Sequence, residues 1–77
     1  MHKGRYRIVI RMHAFRRALQ RKIDPDFIEE TIMTGVMERF GKNFVRFVKK
    51  YRKFKIECID EIIGNVIFIV TITKTRH

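Results

Sequence analysis

His13, Arg17 and Arg21 recur every four residues. On a helix that spacing places them on nearly one face. Ala14, Phe15, Ala18 and Leu19 fall opposite, so the segment reads as a helix with one basic and one apolar side. Imidazole titrates near neutral pH, and a guanidinium matches two phosphate oxygens at once. Together they suit the gripping of a phosphodiester. Metal-independent RNA cleavage needs a base for the 2′-hydroxyl proton, a cationic clamp and an acid for the leaving oxygen. His13 is the candidate general base or acid, and Arg17 and Arg21 are the clamps. Lys74 and Arg76 complete the pocket if the last strand lies beside this helix; His77 is terminal, where chains fray. Plainer roles stay open for each residue. His13 can bond a nearby carbonyl or acid at the helix start, and Arg17 and Arg21 can pair with Glu29, Glu30 or the sheet acids.

The charge distribution points the same way. Eighteen Lys and Arg against eight Asp and Glu give a net charge of +10. Residues 1–22 hold eight basic residues and no acid, and residues 39–55 hold another eight and no acid. Segregation of this kind implies an electropositive surface whose partner is nucleic acid or an acidic protein. Lys42, Arg46, Lys49, Lys50, Arg52 and Lys53 lie in the second tract and are candidates for backbone phosphate contacts. Phe44, Phe47, Tyr51 and Phe54 alternate with them, and strand alternation turns most of these rings inward as core.

The 77 residues suffice for one domain, residues 1–77, with 45% apolar content. A chain of this size buries only about 60–65% of its unfolded surface and is marginal alone. One cysteine, Cys58, leaves no internal disulfide, and alternation with Phe54 and Ile56 reads it as a buried small hydrophobe. One cysteine and three scattered histidines make no metal site, and no cofactor is expected. Asp60 and Glu61 are adjacent, so on a strand their carboxylates point apart. The N-terminus lacks an apolar signal core, and the longest apolar run, Val66–Val70, is far short of a span. A cytoplasmic setting without membrane contact is expected.

These residues need a scaffold, and the sequence sketches one. Arg5–Ile10 reads as a short strand or extended lead-in, and Met12–Arg21 as the first helix. Asp24-Pro25 is a helix start, with Asp at the cap and Pro in the first turn. The second helix covers about Pro25–Thr34 and ends at Gly35, with Ile28, Ile32 and Val36 as its buried stripe. Strands follow at Val36–Phe40, Phe44–Tyr51, Phe54–Asp60 and Val66–Lys74, with turns at 41–43 and Gly64-Asn65. The last strand is apolar on both faces and therefore central. The expected fold is α+β: two N-terminal helices packed on an antiparallel sheet of about four strands, with a possible short N-terminal strand.

The pattern His13-Ala14, Arg17, Arg21, Ile23, Asp24, then Gly35, the Phe44–Asp60 strands, and Ile69-Val70-Thr71 followed by Lys74 and Arg76 resembles the RelE/ParE toxin superfamily. Within it, the chain is most similar to the small BrnT-like branch and its uncharacterised RelE-like relatives, over roughly residues 8–76. The resemblance implies a RelE-like fold, RNA cleavage of the mRNA-interferase type, and a small acidic antitoxin as partner. A tyrosine common near the end of the family's last strand is replaced here by Thr73; the tyrosines are Tyr6 and Tyr51. The expected function is therefore a toxin-like RNA-cleaving or RNA-binding protein of a toxin–antitoxin system, on RNA (ribosome-associated or free) or DNA. The alternatives are a non-catalytic nucleic-acid-binding module and a ParE-like protein acting on a protein target. Oligomeric state is not legible.

Overall fold

A computed structural model describes residues 1–76; His77 lies outside them. In chain order the elements are β1 (His2–Lys3), β2 (Tyr6–Ile10), α1 (Met12–Gln20), α2 (Pro25–Thr34), β3 (Val36–Phe40), β4 (Phe44–Lys50), β5 (Phe54–Ile63) and β6 (Val66–Arg76). The Asp24 carboxylate accepts from the backbone N–H of Asp26 at 2.8 Å and Pro25 opens the helix, so α2 begins where its cap dictates. It ends at Gly35, whose φ of −73° is open to any residue. Space is what requires glycine there: a Cβ would fall on the carbonyls of Thr31 and Val48. Helix and sheet therefore touch backbone to backbone at that corner.

The sheet corrects the expected fold. It has six strands in the order β1-β2-β6-β5-β4-β3 and is mixed, not a four-stranded antiparallel sheet. The N-terminal segment is not a lead-in. It forms a hairpin, β1–β2, and β2 then pairs parallel with β6 through Arg7–Val66, Ile8–Ile67, Val9–Phe68 and Ile10–Ile69. The physical reason is burial. Val66–Val70 is apolar on both faces and needs a neighbour at each edge; β5 covers one edge and Ile8–Ile10 the other. That pairing joins residues about sixty apart, which local periodicity cannot report. β3 to β6 form an antiparallel meander.

Both helices lie on one face of the sheet. Ala18, Ile23, Ile28 and Ile32 meet Val45, Phe47, Ile56, Ile67, Ile69 and Ile72 in a single core. α1 buries only its small residues, Ala14 and Ala18, which lets it sit close on β6. Leu19, expected on the apolar side, is 46% exposed, and Val36, expected to extend the α2 stripe, is exposed on the edge strand β3. The second face of the sheet carries no helix and shows Phe40, Phe44 and Ile63 to solvent.

One register shift sets which residues face the helices. Asp60 stands opposite Ile69 and Ile59 opposite Thr71, so Val70 has no partner on β5. An extra residue in one strand inverts its alternation beyond that point. Ile67 and Ile69 point to the helix side before the bulge; Ile72, Lys74 and Arg76 do so after it, opposite Cys58, Ile56 and Phe54.

Among the described residues, Asp60 is the one carboxyl in the core. It is fully buried beside the bulge, and neither oxygen has a hydrogen-bond partner among the described residues. Burial pushes it up from 3.8 to about 8. The folded protein therefore holds this proton at pH values where the unfolded chain has lost it. Asp60's own contribution to stability therefore falls as pH rises from about 4 to about 8 and levels off above, by at most about 1.4 kcal/mol per pH unit. We expect Asp60→Asn to melt like the parent near pH 4 and to resist urea better by several kcal/mol at pH 8. Denaturation curves at both pH values check it; a constant gap would refute the buried titration.

Candidate functional site

The basic helix and the basic strand end form two separate places. His13, Arg17 and Arg21 do share a pocket, as their spacing predicts. It is small, about 120 Å³, and is closed by Ala14 and by Val70, Thr71 and Ile72 of β6. The bulge thus forms one wall of the pocket. Lys74 and Arg76 do not reach it, although β6 lies against α1. They line a larger groove of about 600 Å³ with Arg52, Lys53 and Phe54.

The end of α1 explains how Arg21 is held. Ile23 N–H bonds the carbonyl of Ala18 and Lys22 N–H bonds that of Leu19, at 3.0 Å each, the paired bonds of a Schellman ending. Lys22 takes the left-handed conformation (φ 60°) that glycine usually fills, and Ile23 is driven into the core behind it. Arg21 is the capping residue, and its guanidinium donates to the carbonyl of Ile72 at 3.0 Å. Neither Arg17 nor Arg21 pairs with a carboxylate among the described residues. Arg21 is therefore a strut between helix and sheet with its remaining donors free, and Arg17 has no such tie.

The larger groove lies where the β4–β5 hairpin tip meets the end of β6. Tyr51 N–H bonds the carbonyl of Phe54 at 2.7 Å, closing a tight turn with Arg52 and Lys53 at its tip. Phe54 pairs across the sheet with Arg76, and Ile56 with Lys74. The Lys74 ammonium stands 4.5 Å from the centroid of the Phe54 ring, a cation–π contact that fixes its direction. Four cations thus converge, with no carboxylate among the described residues of the lining.

The other expected phosphate contacts disperse. Arg46 lies on the helix-free face, 3.5 Å from Glu38 and 3.3 Å from Glu57. Lys49 points to α2 and is held by Glu30 at 3.0 Å and Thr34 at 2.6 Å. Lys42 is exposed in the β3–β4 turn, and Lys50 lines a shallow hollow beside β3. Alternation explains the split: consecutive cations of one strand belong to opposite faces, and only the hairpin tip escapes it.

The aromatic residues divide in the same way. Phe47 is fully buried, as expected, whereas Phe44 is exposed on the far face. Tyr51 and Phe54 are half-buried and form a cluster with Phe27 of α2. Phe27 was not legible as a site residue, because nothing local marks the first turn of α2 as neighbour to a hairpin tip 24 residues on. Cys58 is buried, and burial, with Asp60 and Glu57 nearby, pushes its thiol up to about 12, leaving it inert.

No helix among the described residues is long and apolar enough to cross a membrane. Comparison of the chain with family models, curated proteins and solved structures finds no match in any of the three.

The two arginines of α1 should separate by stability. Arg21→Gln removes a charged donor from the Ile72 carbonyl and is expected to cost about 1 kcal/mol. Arg17→Gln should stay within about 0.5 kcal/mol of the parent. Urea midpoints of the two variants check the assignment, and equal losses would contradict it.

Proposed function

We propose that this chain is an RNA-binding protein that holds its ligand by the phosphate backbone, in the groove of Arg52, Lys53, Lys74 and Arg76. The observation that carries the reading is the convergence of these four cations, drawn from a hairpin tip and a separate strand end, with no acid among the described residues that line the groove. Like charges repel, and bringing four together costs free energy that a polyanion recovers. RNA is favoured by the resemblance of the His13–Asp24 segment to toxin-like nucleases. A small acidic antitoxin is the competing occupant of the same surface.

A second reading adds cleavage. His13 and two guanidiniums share one pocket, and one arginine is already fixed in place. His13 would take the proton of the 2′-hydroxyl, the freed oxygen would attack phosphorus, and the 5′-oxygen would leave with a proton from solvent. The products are a 2′,3′-cyclic phosphate and a 5′-hydroxyl. Among the described residues no second titratable donor lines this pocket, so the reaction would be slow.

Four phosphate contacts on a single strand predict a plot of log affinity against log salt with a slope near −3. Lys74→Gln with Arg76→Gln should halve that slope, and Arg7→Gln, on the far face, should leave it unchanged. Anisotropy titrations with a labelled RNA at several salt concentrations test this. A flat salt response would defeat the proposal. Polyglutamate competing as well as RNA at equal charge would place an acidic protein in the groove instead. For cleavage, RNA incubated with the protein in EDTA should yield cyclic phosphate ends, and His13→Ala should slow this about 10²–10⁴-fold without weakening binding. Activity lost on adding EDTA would defeat the mechanism.

A further inference from the structure

Phosphate binding leaves the aromatic cluster beside the groove unused. Tyr51 lies nearly parallel to Phe54, with centroids 4.9 Å apart and planes 24° apart. Phe27 stands edge-on to both rings, at 4.9 and 5.2 Å. These three rings, with Arg52 and Lys53, line an open surface hollow of about 300 Å³. Arg52, Lys53 and Phe54 line both this hollow and the cationic groove, so the two adjoin.

The rings are not equally free. Phe54 is taken by Tyr51 and by the Lys74 ammonium. Tyr51 is anchored through its hydroxyl, which donates to the Phe27 carbonyl at 3.2 Å and lies 3.0 Å from the Thr31 hydroxyl. Phe27 is 36% exposed and is the ring left open to solvent. Its backbone is pinned in the first turn of α2, so the ring is presented on a rigid element.

We infer that this hollow receives one unstacked nucleobase while the adjoining phosphates lie among Arg52, Lys53, Lys74 and Arg76, which makes the ligand single-stranded RNA. The inference rests on the phosphate-binding reading above and narrows it. An aromatic platform beside fixed cations meets the π-face of a base and the charge of its backbone together. A duplex keeps its bases stacked inside and reaches only the cations, leaving the rings wet. An acidic peptide leaves them wet as well.

The test compares three ligands with the full chain by anisotropy: a short single-stranded RNA, the same ribose-phosphate strand without bases, and the RNA duplex. The intact strand should bind roughly 5- to 150-fold more tightly than the baseless strand, which is the ~1–3 kcal/mol of base–aromatic stacking. Phe27→Leu keeps an apolar side chain in the hollow, so the fold persists; it should weaken the intact strand severalfold and leave the baseless strand unchanged. Equal affinity for the intact and baseless strands would overturn the base site and leave phosphate binding standing. A duplex bound more tightly per phosphate than the single strand would overturn the single-strand assignment. Binding of neither strand at low salt would remove the phosphate reading along with this one.

Discussion

Val70 stands unpaired in the strand on which both the sheet and α1 are built, and the direction of every side chain beyond it follows from that. Without the extra residue, strict alternation would turn Thr71, Thr73 and Thr75 toward the helices and send Ile72, Lys74 and Arg76 to the open face. The core would lose Ile72 opposite Cys58. The groove would lose two of its four cations. The pocket beneath α1 would lose its wall, because Val70, Thr71 and Ile72 form it. A single departure from the two-residue period thus serves packing and charge placement at once.

The same place carries the main conflict in the core. Asp60 sits beside the bulge with its carboxyl buried and, among the described residues, without a hydrogen-bond partner. Burying such a group unbonded costs roughly 1–3 kcal/mol even when it is neutral. In a domain this small, whose net stability is itself only several kcal/mol, that is a large fraction. Compensation comes from close approach elsewhere: the two buried alanines of α1 against β6, the glycine corner after α2, and the Lys3 ammonium, which reaches the Ile32 carbonyl at 2.7 Å and caps α2 while standing over the Phe47 ring. Lys3 also ties the N-terminal hairpin to the helix layer, which makes β1 part of the fold despite its two residues.

Charge placement follows from where acids were available to neutralise it. Arg46 and Lys49 have Glu38, Glu57 and Glu30 within reach, and their charge is spent inside the fold. The hairpin tip and the end of β6 have none among the described residues, so four cations stay unpaired together at that corner. The rings of Phe27, Tyr51 and Phe54 gather at the same corner because they cover the end of the core between α2 and the sheet.

Local features can be read from the chain alone. Asp24-Pro25 starts α2, Gly35 stops it, the His13–Arg17–Arg21 spacing places three side chains around one pocket, and the acid-free tracts foretell a basic surface. Each depends on neighbours within a few residues, where helix and strand periods act. Tertiary structure alone decided the parallel pairing of β2 with β6, the six-stranded sheet, the parting of Lys74 and Arg76 from the α1 residues, and the meeting of Phe27 with a distant hairpin tip. Those depend on which strand edge still needs covering and on one bulge that inverts a face. Neither is written in any local window, because a bulge is chosen by the packing it relieves and an edge is known only when the other strands are in place.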